Sequence, residues 1–248
     1  MPARPGRGAK QSVELQGVLL NVPRRRRRPA RRRTAPPAER REQLIQATIR
    51  CVARLGLADT TIATVAQEAG LSHGIVNLHF RSKERLLTAT LRYLADEYRN
   101  ACREAAAIAE RSAAAGLAAM VELDFRRGIC DRDKLAVWFA FWGERRFRPT
   151  YRRICADRDR SYDDMVRATC ARLAAEGGYA DVEPLLVADG LSALTDGLWL
   201  DLLVRPDSMS REQARRIARA YLADAFPRHF RHPVDNRMER ARHADQAG

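Results

Sequence analysis

The densest run of short polar side chains in this 248-residue sequence is Ser72, His73, Gly74, Asn77 and His79, with Thr61 before it and Lys83 after it. These groups donate and accept hydrogen bonds; none is arranged to make or break a bond. A hydroxyl, an imidazole and an amide reach base edges at short range, and a lysine meets phosphate. Residues 73, 74 and 77 share one helical face. A second group is aromatic. Trp138, Phe141 and Trp142 also share a helical face, and Trp199 lies three residues after Asp196. Aromatic rings with a carboxylate form a cage for a quaternary ammonium, through attraction to the ring faces. Core packing explains the same spacing. No H-E-x-x-H, G-x-S-x-G, phosphate-binding glycine loop or acidic metal cluster occurs. His229, His232 and His243 fall in a polar C-terminal stretch without cysteine or carboxylate partners at ligand spacing. Catalysis, a metal and a cofactor are therefore not expected.

The polar run needs helices to present it. Thr61 can cap a helix whose apolar residues Ile62, Val65, Ala66 and Ala69 recur at helical spacing. Gly70 suits a left-handed stop. Leu71 plugs the angle, Ser72 caps a second short helix, and Ile75, Val76 and Phe80 turn inward. Ser82 caps a third helix with Lys83 and Arg85 in its first turn, where cations oppose the helix dipole. A phosphate nearby would account for that charge. The arrangement reads as a helix-turn-helix with its second helix in the major groove of DNA; an ordinary helical hairpin with a glycine turn has the same pattern.

The rest of the chain is also helical in character. Hydrophobic residues make up 46% and aromatics 6%, strand-like alternation is almost absent, and the fold class predicted is all-α. Helices are expected near 37–55, with Leu44, Ile45, Thr48, Ile49 and Val52 inward and Gly56 as the stop, then at 83–110, 113–129, 132–146, 149–176, 182–204 and 210–225. The organisation expected is an Arg-rich disordered arm over 1–37, a DNA-binding domain over 38–84, a ligand-binding and dimerisation domain over 85–226 and a polar tail over 227–248. Five scattered cysteines without C-x-x-C spacing predict buried, reduced thiols. The most apolar stretch carries Asp189, Asp196 and Asp201, which argues against a membrane span.

Charge is uneven. The formal net charge is +14, and residues 1–38 supply +10 of it. Three readings of the arm stand side by side: nonspecific phosphate binding, a solvated tail without a role, or a translation start placed too far upstream. Arginine outnumbers lysine 42 to 3, the composition of a GC-rich genome.

The segment Gly70-Leu-Ser-His-Gly-Ile-Val-Asn-Leu-His-Phe-Arg-Ser-Lys-Glu-Arg-Leu-Leu87 resembles the DNA-binding signature of the TetR family of bacterial repressors. That resemblance implies that Lys83 and His79 contact phosphate and that Thr61 opens the preceding helix. Asn77 stands where the family usually carries a phosphate-contacting tyrosine. Downstream, Leu135-Ala-Val-Trp-Phe-Ala-Phe-Trp142, Pro149, Tyr151-Arg152 and Asp196-Gly-Leu-Trp-Leu200 resemble the C-terminal domain of the choline-responsive betaine-operon repressor subgroup. The likeness spans about residues 40 to 226. It implies a small-molecule effector, and a quaternary amine is the first candidate, although subgroup members also sense other molecules such as pyrimidines. Arg145, Arg146 and Arg148 would disfavour a cation if they faced the pocket.

The function expected is a cytoplasmic, homodimeric transcriptional repressor on a palindromic double-stranded operator, located at the nucleoid when bound to DNA. The alternative is a constitutive or architectural DNA-binding protein that uses the basic arm. The last two helices are the candidate dimer contact, through Ala188, Leu191, Ala193, Leu194, Leu198 and Leu202 on one and Ile217, Ala220, Tyr221 and Phe226 on the other. Gly190, Ala193 and Gly197 would allow close approach. The same residues also suit a subunit core.

Overall fold

The computed structural model describes residues 36–232. The Arg-rich arm up to residue 35 and the end of the tail, with His243, lie outside the described residues. Among the described residues the chain forms nine helices and no strand: α1 (Pro37–Asp59), α2 (Ile62–Ala69), α3 (His73–Phe80), α4 (Lys83–Arg111), α5 (Ala113–Asp124), α6 (Arg132–Glu144), α7 (Pro149–Gly177), α8 (Pro184–Val204) and α9 (Arg211–Ala225). The all-α fold expected from the pattern is what forms.

Local signals set most of the boundaries. Pro37 and Pro149 open α1 and α7 at positions where a missing N–H costs nothing. The predicted inner stripe of α1, from Leu44 to Val52, is buried. Gly56 breaks α1 with φ 77°, and one further turn follows to Asp59. Gly70 closes α2 in the left-handed region, φ 63°, where a Cβ would be strained. The Leu71 N–H then reaches back to the Ala66 carbonyl at 2.9 Å.

α4 is the spine. α1, α5 and α7 pack along it, α8 packs on α7, and α9 packs on α8 and α5. α6 lies across α1 and also touches α8, so one helix joins the small N-terminal helices to the larger bundle. At Gly116 an added Cβ would come 2.4 Å from the Ala109 Cβ and 2.6 Å from its Cα. The α4–α5 corner closes because only a hydrogen stands there.

α5 stops at Asp124, short of the predicted 129, for a polar reason. The Asp124 carboxylate is fully buried. It accepts the Tyr98 hydroxyl at 2.6 Å on one oxygen and the Tyr162 hydroxyl at 2.7 Å on the other. Its backbone carbonyl accepts the Trp199 indole N–H at 2.9 Å. Side chains of α4, α7 and α8 thus converge on the last residue of α5, and that carbonyl serves Trp199.

The ends differ from expectation in two further ways. The tail does not begin as a loose polar segment. Phe226 is buried, Phe230 packs on the core, and the Tyr179 hydroxyl bonds the His229 Nδ1 at 2.9 Å and accepts the Arg228 N–H at 2.8 Å. Several residues assigned to a dimer contact belong to the subunit instead: Ala188, Leu191, Leu198 and Phe226 are buried within the chain. Gly190 makes its close approach to Tyr221 of the same chain. Ala193, Gly197 and Ile217 stay exposed. All five cysteines are free and buried. Burial pushes the Cys102, Cys130 and Cys170 thiols up to about 12 and Cys155 up to about 11, away from thiolate chemistry.

Two predictions follow from this packing. Gly116→Ala will destabilise the protein by about 1–3 kcal/mol, read as a lower melting temperature; an unchanged melting temperature would show that the corner has room. The second concerns Asp124, whose carboxyl burial lifts to about 6 against the pull of both tyrosines and Arg158. An unfolded aspartate titrates near ~3.9. The native chain therefore holds a proton that the unfolded chain has lost, and this contribution is full below about pH 4 and disappears as pH rises through about 6. Asp124→Asn removes the step, worth at most about 3 kcal/mol. The difference in stability between wild type and variant should change across that window and be flat above it; a pH-independent difference would exclude the buried titration.

Candidate functional site

The recognition surface is built by α2, α3 and the start of α4. Thr61 accepts the Thr64 N–H at 3.1 Å, and Thr64 returns the bond to the Thr61 N–H at 2.9 Å, so α2 begins with a reciprocal cap. Val76 and Phe80 point inward and are buried, and Ile75 is half-buried. Ser72, His73, Gly74 and Asn77 are exposed, with residues 73, 74 and 77 on one face of α3, and His79 is half-buried on another side of the helix. Ser72 makes no side-chain cap to α3, contrary to its predicted capping role.

His73 and Asn77 bond each other, Asn77 Nδ2 to His73 Nδ1 at 3.1 Å. With the amide donating, the neutral ring carries its proton on Nε2. The pair then offers a donor and the Asn77 carbonyl as an acceptor, the combination that base edges require. Leu78, which the sequence reading left unassigned, is 78% exposed on the same short helix. An apolar side chain there matches a thymine methyl; its signal in the sequence is only that it falls off the inward stripe.

Lys83 has a partner within the chain. Its ammonium donates to the Ala58 carbonyl at 2.7 Å, at the end of α1, where helix carbonyls lack partners and the dipole favours a cation. The charge is thus accounted for without a phosphate, and it remains at the surface beside exposed Arg81 and Arg85. Arg81 adopts φ 59° as the cap of α3.

The second site is a cavity of about 300 Å³ between α4, α6, α7 and α8. Trp142 and Asp196 line it, as the sequence suggested, and so do Arg145, Arg158, Asp159 and Asp163. Trp138 and Trp199 stand behind this lining, both buried. Phe141 does not join them; it is fully buried and packs edge-on against Tyr151 with ring centroids 4.8 Å apart. Of the three cations that raised a question, Arg145 lines the cavity, Arg146 stacks on Phe147 at 4.9 Å, and Arg148 turns to Glu84.

The residue that sequence reasoning missed is Arg158. Its guanidinium lies 4.3 Å from the Tyr98 ring centroid, 4.9 Å from Trp138, 5.2 Å from Trp199 and 5.6 Å from Trp142. The aromatic cage exists, and an arginine of the chain sits in it. Arg158 donates to Asp159 at 2.6 Å. Burial opposes its charge, but Tyr98 and Asp159 outweigh burial and keep it protonated. The run Asp157-Arg-Asp-Arg160 reads as a solvated face. Its one inward signal is that 158 continues the stripe Tyr151, Cys155, Tyr162, Val166, all buried. Loss of water around its carboxyl raises Asp196 to about 6, with Arg158 opposing. Among the described residues no His, Cys, Asp and Glu cluster could hold a metal ion, and no helix is long and apolar enough to cross a membrane.

Head and cavity are joined. α6, which carries Trp138 and Trp142, packs on α1. Just beyond it, Arg148 donates to Glu84 in the first turn of α4 at 2.9 Å.

Comparison with known proteins places both halves of the chain. Residues 44–90 match the family described as bacterial regulatory proteins, tetR family, and residues 113–227 match the BetI-type transcriptional repressor C-terminal family. The chain is 36% identical over 185 residues to the HTH-type transcriptional regulator BetI of Pseudomonas paraeruginosa, covering 74% of this chain and 91% of that protein. It is 33% identical over 184 residues to the regulator of the same name from Serratia proteamaculans, covering 74% and 90%. Among solved structures, a transcriptional regulator from Pseudomonas aeruginosa superposes with a TM-score of 0.67 at 30% identity, over 79% of this chain and 96% of that one. A transcriptional regulator from Saccharomonospora viridis, crystallised in complex with choline, superposes with a TM-score of 0.62 at 26% identity, over 75% and 96%. The chain belongs to the TetR family of bacterial regulatory proteins, with a BetI-type repressor C-terminal domain, and is a transcription regulator rather than an enzyme.

Proposed function

We propose that this protein is a dimeric repressor that leaves a palindromic operator when a small cationic amine enters the cavity beside Trp142. The observation that carries this reading is mechanical: α6 forms a wall of the cavity and packs on α1 of the DNA-reading head. A ligand that prefers one width of the cavity biases the placement of the head, and ligand and DNA then favour different members of one ensemble. Residues 38–84 are the reading head in this account, and 85–226 the effector and dimer domain. Ser72, His73, Gly74, Asn77 and His79 face the major groove and its phosphates, Leu78 adds an apolar contact, and Thr61 and Lys83 flank them.

A second copy has a surface to dock on. Leu186, Ala193, Gly197, Leu200 and Val204 are all exposed and fall on one stripe of α8, and Ile217 is exposed on neighbouring α9. Leu186 is 64% and Val204 59% exposed, which suits an interface more than a solvated face. At Gly197 nothing lies within 4 Å of an added Cβ, which leaves room for a partner helix. Support for a cationic amine comes from the relative crystallised with choline and from the carboxylates of Asp159, Asp163 and Asp196 in the cavity lining.

Three measurements test this reading. On an operator obtained by binding-site selection, Asn77→Ala should cost about 1–3 kcal/mol and relax preference at one base pair. Lys83→Ala should weaken binding uniformly and reduce the salt slope by about one; a slope unchanged by the variant would leave Lys83 to Ala58 alone. Arg148→Ala breaks a pair that is half exposed on both sides, worth no more than about 1 kcal/mol. It should shrink the drop in operator affinity caused by effector up to about fivefold, and a full-sized response would place the coupling elsewhere.

A further inference from the structure

The cavity is chemically two-sided, and Arg158 makes it so. Its side chain is 6% exposed, and the seat between the rings of Tyr98, Trp138, Trp142 and Trp199 is taken by its guanidinium. A bare cation entering the cavity finds the cage filled by a like charge. Next to that seat, two buried N–H donors have no partner: Arg158 Nε and Trp142 Nε1. An unpaired buried donor costs roughly 1–3 kcal/mol, so both call for an acceptor. The Arg158 guanidinium is 5.6 Å from the Trp142 ring centroid, so the two donors belong to neighbouring groups, and a carboxylate has an oxygen for each.

The remaining lining has the opposite character. Asp159 is committed to Arg158 and lies 3.6 Å from Arg145. Asp163 accepts the Ser192 hydroxyl at 3.1 Å. Asp196 also lines the cavity and is exposed to solvent. Three carboxylates against two arginines oppose a simple anion. An ammonium beside Asp163 and Asp196 balances them.

Resting on the reading of this cavity as the effector site, we propose that the effector is a small zwitterion, a cationic amine that also carries a carboxylate, and that Arg158 imposes that choice. The carboxylate takes the Arg158 and Trp142 donors. The amine turns to the acidic side. Choline has in place of the carboxylate a single neutral hydroxyl, which lacks the second oxygen and the charge that strengthens a bond to arginine.

The test uses pairs that differ only in this group. Glycine betaine and choline share a trimethylammonium and differ in carboxylate against hydroxymethyl; a trimethylammonium carboxylate with two further methylenes covers a longer span. Titration calorimetry on the full chain should find the better carboxylate at least about tenfold tighter than choline. Arg158→Met, which vacates the cage of charge, should reverse the order in favour of choline. Arg158→Lys keeps a cation but removes the Nε donor; it should cost the carboxylate ligand about tenfold without gain for choline, and it decides the matter if the Met variant does not fold. Choline bound by wild type as tightly as either carboxylate, an unchanged ratio in the variants, or no binding of any carboxylate overturns the proposal. Tight choline binding would leave the effector reading of the cavity standing, whereas binding of all ligands unaffected by Trp142→Ala would remove the cavity itself.

Discussion

One buried positive charge organises the larger half of this fold. An ion moved out of water carries a penalty of several kcal/mol even after relaxation, and Arg158 offsets it with four ring faces and one carboxylate. Each ring contributes roughly 0.5–2 kcal/mol, so the placement holds only if all of them stay put. They are held. Tyr98 is fixed by its hydroxyl on Asp124, and Trp199 by its indole N–H on the carbonyl of the same residue. Five helices, α4 to α8, therefore meet around one guanidinium and one carboxylate, and the inner wall of the cavity is stiff.

The outer parts are built differently. Head and bundle meet through α6 on α1 and through exposed ion pairs such as Arg148 with Glu84. Surface pairs contribute little each and rearrange easily. A stiff sensor joined to a small head by adjustable contacts is the combination a two-state regulator needs. α3 is short, its polar face is exposed, and its buried apolar residues Val76 and Phe80 fasten it to the rest of the head.

Much of this was legible in the residues. Helix starts follow from prolines and hydroxyl caps, and stops from glycines, because those features act within a turn or two of chain. The end of α5 was not legible, since the three side chains that claim Asp124 come from distant positions. Arg158 was hidden for a related reason: an Asp-Arg-Asp-Arg run carries the composition of a wet surface, and only its register on the stripe of Tyr151, Cys155 and Tyr162 betrays it. The aromatic group was partly legible. Trp138, Trp142, Asp196 and Trp199 gather around one place, while Phe141, on the same helical face, goes to Tyr151. The stripe proposed for the dimer was blurred because an interface and a core share apolar residues at one period; Leu191 and Leu198 are interior whereas Ala193 and Leu200 are not.

α4 runs unbroken from Lys83 to Arg111, and Tyr98 touches the cage midway along it. At ~1.5 Å per residue, that contact lies roughly 22 Å from the start of the helix. Each degree of tilt about it carries the first turn of α4, and the recognition helix beside it, through about 0.4 Å. A swing of some ten degrees displaces a head by about 4 Å, more than one base-pair step of ~3.4 Å. In the proposed dimer, two heads swinging oppositely double the error in their spacing. Leverage of this kind turns a small tilt at the cavity wall into a displacement at the recognition helix on the scale of a base-pair step.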